Sequence, residues 1–137
     1  MYLWSAVPVF IAGLSLVAAE TEQFPVVPTP VGAGEEMYVS YCASCHGRDG
    51  RGSGPAAAAL NSPATDLTTL AARNNGAFPT KRVKASIRGD QQVVAHGTKE
   101  MPVWGPLFRY VGGGSRAEVE VRINNLVRYI QSLQEAK

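Results

Sequence analysis

Apolar positions change their spacing along this chain, and the changes mark out its elements. From Leu3 to Ala19 almost every side chain is apolar and none is charged. After Glu35 and Glu36, the residues Met37, Tyr38, Tyr41, Cys42 and Cys45 recur at helical spacing. Carboxylates in the first turn suit the positive end of a helix dipole, so the pattern predicts a helix through position 46. Val83 and Ile87, with Val94 beyond a break at Gly89-Asp90, supply the stripe of a second helix that Thr80 would cap. The clearest stripe is the last: Val119, Ile123, Leu126, Val127, Ile130 and Leu133 share one face, and Glu120, Arg122 and Arg128 are assigned to the opposite one. Ser115 and Glu118 stand as N-cap and N3 of a capping box in front of it. Packing this stripe on the face of residues 34–41 would bring the two helices together, with Gly34 letting them approach closely.

The middle of the chain reads as short pieces. Ala56 to Leu60 makes a helical turn, and Asp66 caps a short helix over Leu67 to Ala71 that Asn74-Asn75-Gly76 ends. Phe78, Trp104 and Phe108 read as core and pocket wall, and Gly112-Gly113-Gly114 as a flexible break. Helix, turn and loop signals dominate, and nothing reads as parallel strands. The fold class expected is all-α.

At 137 residues and 45% apolar content, the chain supports one domain with a modest core. Residues 1–19 form a leader: Val17-Ala18-Ala19 before Glu20 offers the small side chains of a cleavage site. An uncleaved membrane anchor is the alternative, because about 20 apolar residues span a bilayer. Both place the domain outside the cytoplasm, in the periplasm or on the outer face of the inner membrane. Residues 20–33, with Pro25, Pro28 and Pro30, read as an extended linker, and residues 34–137 as the domain.

The net charge of +2 conceals an uneven distribution, since residues 48–109 hold nine Lys or Arg against four Asp or Glu. Lys81, Arg82, Lys84 and Arg88 cluster on one predicted helix. A basic face of this kind steers encounter with an acidic redox partner through on-rate. The charge is too modest for nucleic-acid binding.

The chemistry concentrates in Cys42-Ala43-Ser44-Cys45-His46. Two thiols two residues apart, followed at once by an imidazole, form the attachment signature of a c-type haem. On a helix these three side chains are neighbours, so both sulfurs can reach one porphyrin edge while the imidazole reaches the iron. A thioredoxin-like pair would need a βαβ setting. A structural zinc site needs four ligands, and Cys42, Cys45, His46 and His96 exhaust the cysteines and histidines. A plain disulfide stays open as a lesser reading. Beyond His46, Gly47 to Pro55 holds four glycines in nine residues and prevents regular structure. It matches neither a phosphate loop nor an EF-hand loop. The second ring nitrogen of a ligating histidine needs an acceptor, for which the Pro55 carbonyl is the candidate.

With these residues in view, the chain resembles the class I (monohaem) c-type cytochromes. Gly34, Tyr38 and Cys42 match the family's glycine, aromatic and first haem cysteine at successive four-residue steps. Met101-Pro102-Val103-Trp104-Gly105 resembles the family's axial methionine loop, and Leu126, Tyr129 and Ile130 its C-terminal helix motif. The resemblance implies N- and C-terminal helices packed together around one covalent haem c, held through Cys42 and Cys45, with His46 and Met101 as axial ligands and Trp104 near the haem. It implies a one-electron carrier in a respiratory, photosynthetic or dehydrogenase-linked chain and not an enzyme in its own right. His96 is the competing sixth ligand. If Met101 does not ligate, a haem enzyme subunit or a gas or redox sensor becomes the alternative.

Overall fold

The computed structural model describes residues 29–30, 32–90, 101–112 and 114–135. The leader, most of the linker, Val94 and His96 lie outside the described residues. Among the described residues the chain is helical and carries no strand: α1 (Gly34–Tyr41), α2 (Ala43–His46), α3 (Thr80–Arg88), α4 (Trp104–Gly112) and α5 (Arg116–Ser132), with 3-10 turns at Ala57–Ala59 and Ala72–Asn74. This is the all-α class expected.

The core forms where α1, α3 and α4 all pack on α5. Tyr38, Met37, Phe108 and Ile123 are fully buried, and Leu126, Val127 and Ile130 nearly so. Val83 and Ile87 supply the buried face of α3, as their spacing predicts. The α5 cap forms as read: the Glu118 N–H donates to Ser115 Oγ at 3.3 Å, and the Ser115 N–H donates to the Glu118 carboxylate at 2.6 Å. Gly34 sits at the crossing of α1 and α5, where a Cβ would stand 2.5 Å from the Asn125 carbonyl oxygen.

Several expectations give way. Arg122, assigned to the solvent face of α5, is 4% exposed. It lies three residues after Val119 and four before Leu126, on the buried stripe itself. Its Nη1 donates to the Thr29 carbonyl at 2.8 Å. Thr29 is therefore buried too, and the packed structure reaches back into the stretch read as linker.

No helix forms over Leu67 to Ala71. The Asp66 carboxylate takes both the backbone N–H of Thr68 (2.8 Å) and its hydroxyl (2.7 Å), an alternative to helical pairing. At the start of α3 the N-cap is Pro79, with no side-chain cap, and Thr80 is the first helical residue. α4 forms in spite of Gly105 and Pro106, because proline in the first turn removes an N–H that has no helical partner. Gly105 lets α4 press on the end of α3, where a Cβ would meet the Arg88 carbonyl at 2.6 Å.

Candidate functional site

α1 runs almost directly into α2, with Cys42 as the joint. The Cys42 N–H still donates to the Tyr38 carbonyl (2.8 Å), and the His46 N–H donates to the Cys42 carbonyl (2.9 Å). Helical backbone on both sides sets Cys42, Cys45 and His46 into the wall of one pocket.

The glycine-rich loop then folds back under α2. Gly52 donates to the His46 carbonyl (2.7 Å), Gly54 to the Cys45 carbonyl (3.1 Å) and Ala56 to the Ser44 carbonyl (2.8 Å). These bonds satisfy carbonyls that the end of a helix leaves without partners. Gly54 is needed for the contact, since a Cβ there would collide with the carbonyl oxygens of Ala43 and Ser44. Tyr38, buried beside the loop, donates its hydroxyl to the Gly47 carbonyl at 2.8 Å. Burial is the main reason its phenol is held above the ordinary range.

The pocket is a cleft partly open to solvent, with a lining that is mainly apolar. Tyr41, Leu60 and Pro63 to Thr65 line it together with the two sulfurs and the imidazole, and Met101, Pro102 and Trp104 arrive from far along the chain. The Tyr41 and Trp104 rings lie 5.3 Å apart and both pack near Phe108, which closes the aromatic wall toward the core. Of the side chains singled out from the sequence, Cys42, Cys45, His46, Met101 and Trp104 therefore share one cavity. Phe78 packs on the core but is not part of that lining. His96 lies outside the described residues.

Pro55 is the correction. It is exposed, and His46 Nδ1 instead meets the Thr65 carbonyl at 2.9 Å. A carbonyl only accepts, so Nδ1 carries the proton and Nε2 is left with its lone pair. The loop turns back at Gly54 before Pro55 can come under the ring, and the segment after Pro63 supplies the acceptor. Burial lowers the pKa of His46, opposed by the Thr65 hydrogen bond, which favours the neutral ring that a metal requires. Burial, with the Cys45 charge beside it, pushes the Cys42 thiol up to about 12. A thiol so protonated is a poor redox nucleophile, and neither cysteine is in a disulfide. Among the described residues no group of three or more His, Cys, Asp or Glu side chains converges on a metal position.

These features fit a haem c. Two free sulfurs and a neutral imidazole of fixed tautomer line a largely apolar cavity, with a thioether in the same wall.

Arg88 departs from the basic face. It forms a paired contact with Glu120, at 3.0 and 2.6 Å, and a 2.8 Å contact with Asp90, so its charge is neutralised within the fold. Lys81 and Arg82 are exposed. The sequence offers Asp90 as a nearby acidic partner, whereas Glu120 lies on α5, whose contact with α3 no spacing predicts. Among the described residues no helix is long and apolar enough to cross a membrane.

A family model described as cytochrome C oxidase, cbb3-type, subunit III matches residues 29–110, a span that includes α1 through most of α4 and every residue lining the pocket. No curated protein and no solved structure matches the chain. The match begins at Thr29, the residue that Arg122 holds, and covers more than half of the sequence; the chain belongs to this family of c-type cytochromes, with a monohaem class I-like domain.

Proposed function

We propose that the protein is a one-electron carrier with a single haem c, bound through thioethers at Cys42 and Cys45 and ligated by His46 and Met101. The observation that carries the reading is that these four side chains, from segments far apart in sequence, line the same cavity. Haem c, when bound, supplies an iron that alternates between two oxidation states one electron apart.

The chain's own contribution is to hold and to exclude. Cys42 and Cys45 fix one edge of the group at the joint between α1 and α2. The Thr65 carbonyl holds the His46 ring in one orientation and one tautomer, which also strengthens the imidazole as a donor. Pro102 stiffens the segment that carries Met101, and Trp104 with Tyr41 walls the cavity with aromatic surface that keeps water out. With His46 and Met101 both holding the iron, no position would be left for a substrate, so the expected chemistry is electron transfer without bond making. Visible and near-infrared spectra of the purified protein in both redox states test the reading. His/Met ligation predicts a weak far-red band in the oxidised form, and rapid binding of carbon monoxide by the parent protein would instead indicate an open iron.

The charge-free stretch 1–19 supports export to the periplasm, either with removal of a leader or with its retention as an anchor. Mass spectrometry of the protein from its native host is expected to show a chain beginning near Glu20. A membrane-bound chain retaining Met1 would establish the anchor.

A further inference from the structure

Among the described residues, Arg122 is the one buried charge, and the proposed function leaves it without a role. Its guanidinium lies among neutral groups: Nη1 is 2.8 Å from the Thr29 carbonyl, 3.4 Å from Thr29 Oγ1 and 3.7 Å from Met37 Sδ. Among the described residues no carboxylate pairs with it, in contrast to Arg51 and Arg88, which have acidic partners at the surface. The side chain is also connected to the pocket wall. The Thr29 hydroxyl donates to Tyr41 Oη at 3.2 Å, and Tyr41 lines the cavity against Trp104.

A buried guanidinium is costly unless something uses it, because its hydration is lost and neutral acceptors return only part of that cost. A leucine or methionine at this place on the α5 stripe would fill the same volume without the penalty. A positive charge in a medium of low polarisability acts over distance with little screening. It favours the less positive of two states of a nearby redox centre.

We propose that Arg122 tunes the redox centre: its buried charge, which no carboxylate among the described residues pairs, holds the reduction potential of the haem above the value that the ligands alone would set. The inference rests on the haem c reading of the pocket. Arg122 touches neither ligand nor cavity, and acts through the field of its charge from behind Tyr41. Because the group is buried, added salt does not remove that field.

The test is an optical redox titration of the haem-loaded protein at low and high salt, on the parent and on Arg122→Met, Arg122→Lys and Thr29→Asp. Arg122→Met removes the charge and keeps the bulk. Arg122→Lys keeps the charge. Thr29→Asp sets a carboxylate beside the guanidinium and cancels the charge without altering α5, so it decides the matter if Arg122→Met does not fold. At a fixed solution potential, Arg122→Met and Thr29→Asp are expected to lower the ferrous-to-ferric ratio at least about threefold, a fall of about 28 mV at 59 mV per tenfold. Arg122→Lys should stay near the parent, and the far-red ligation band should persist in all of them. Parent-like potentials in both Arg122→Met and Thr29→Asp would overturn the proposal. So would a fall in Arg122→Lys equal to that in Arg122→Met, which would assign the effect to guanidinium packing. A parent protein without covalent haem would refute the haem reading itself, a result distinct from either of these.

Discussion

Gly34 and Asn125 meet backbone to backbone: a Cβ built on Gly34 would lie 2.5 Å from the Asn125 carbonyl oxygen and 3.3 Å from Tyr129 Cβ. Nothing at this crossing is the yielding end of a side chain. The close approach lets α1 bury Met37 and Tyr38 against α5, and it sets the direction from which α1 delivers Cys42 to the pocket. One missing side chain thus links the helix packing to the geometry of the site.

Gly34→Val is therefore expected to destabilise the protein by about 1–3 kcal/mol, the usual cost of overpacking. In a domain of this size each kcal/mol lowers the melting temperature by roughly 4–8 °C. Thermal circular dichroism of the haem-loaded protein measures it. Melting together with the parent would mean that the helices separate without cost, and the crossing would not be the constraint described.

Covalent attachment makes a separate prediction. Haem bound through Cys42 and Cys45 should remain with the polypeptide after acid-acetone extraction, and loss of all colour to the solvent would contradict the attachment. Replacing both cysteines by alanine should leave a poorly folded chain, since a porphyrin would supply much of so small a core.

Legibility followed the kind of signal involved. The helices α1 and α5, the capping box and the closeness at Gly34 could be read because they rest on periodicity and on local chemistry. Cys42, Cys45 and His46 could be read because their spacing is local as well. The acceptor for His46 could not be, because Thr65 comes from a separate loop and any carbonyl suffices chemically. Arg122 was misread for a related reason: counting apolar residues alone leaves out a charged side chain that shares their stripe. α4 was obscured by Gly105 and Pro106, which look like breakers until their place in the first turn and against α3 is known.

The basic face proposed for partner docking should depend on Lys81 and Arg82 and not on Arg88. Lys81 and Arg82 are exposed on α3, whereas Arg88 is spent on Glu120 and Asp90. Charge reversal at both Lys81 and Arg82 is expected to slow reduction by an acidic redox partner at low salt, with the difference vanishing as salt rises. Arg88→Ala should leave that rate unchanged and cost only ~0.2–1 kcal/mol of stability, as partly exposed ion pairs do. Stopped-flow rates against ionic strength would decide. Equal slowing by Arg88→Ala would show that its charge still acts outward.

The ligand assignment gives the sharpest outcome, and it rests on Met101. Met101 is half-buried and lines the cavity next to Pro102 and Trp104, in the same wall set as Cys45 and His46. A thioether is a soft, neutral ligand that favours ferrous over ferric iron, so it raises the potential relative to a second nitrogen donor. Met101→Ala should abolish the far-red band of the oxidised protein, lower the potential and open the iron to cyanide and carbon monoxide. His96→Ala should leave all three nearly as they were, at the expense of at most a hydrogen bond of ~1 kcal/mol. If the parent lacks the band and His96→Ala is the change that opens the iron, His96 is the sixth ligand. If the parent already binds carbon monoxide rapidly, no side chain closes the sixth position, and a ligand-binding haem protein replaces the carrier.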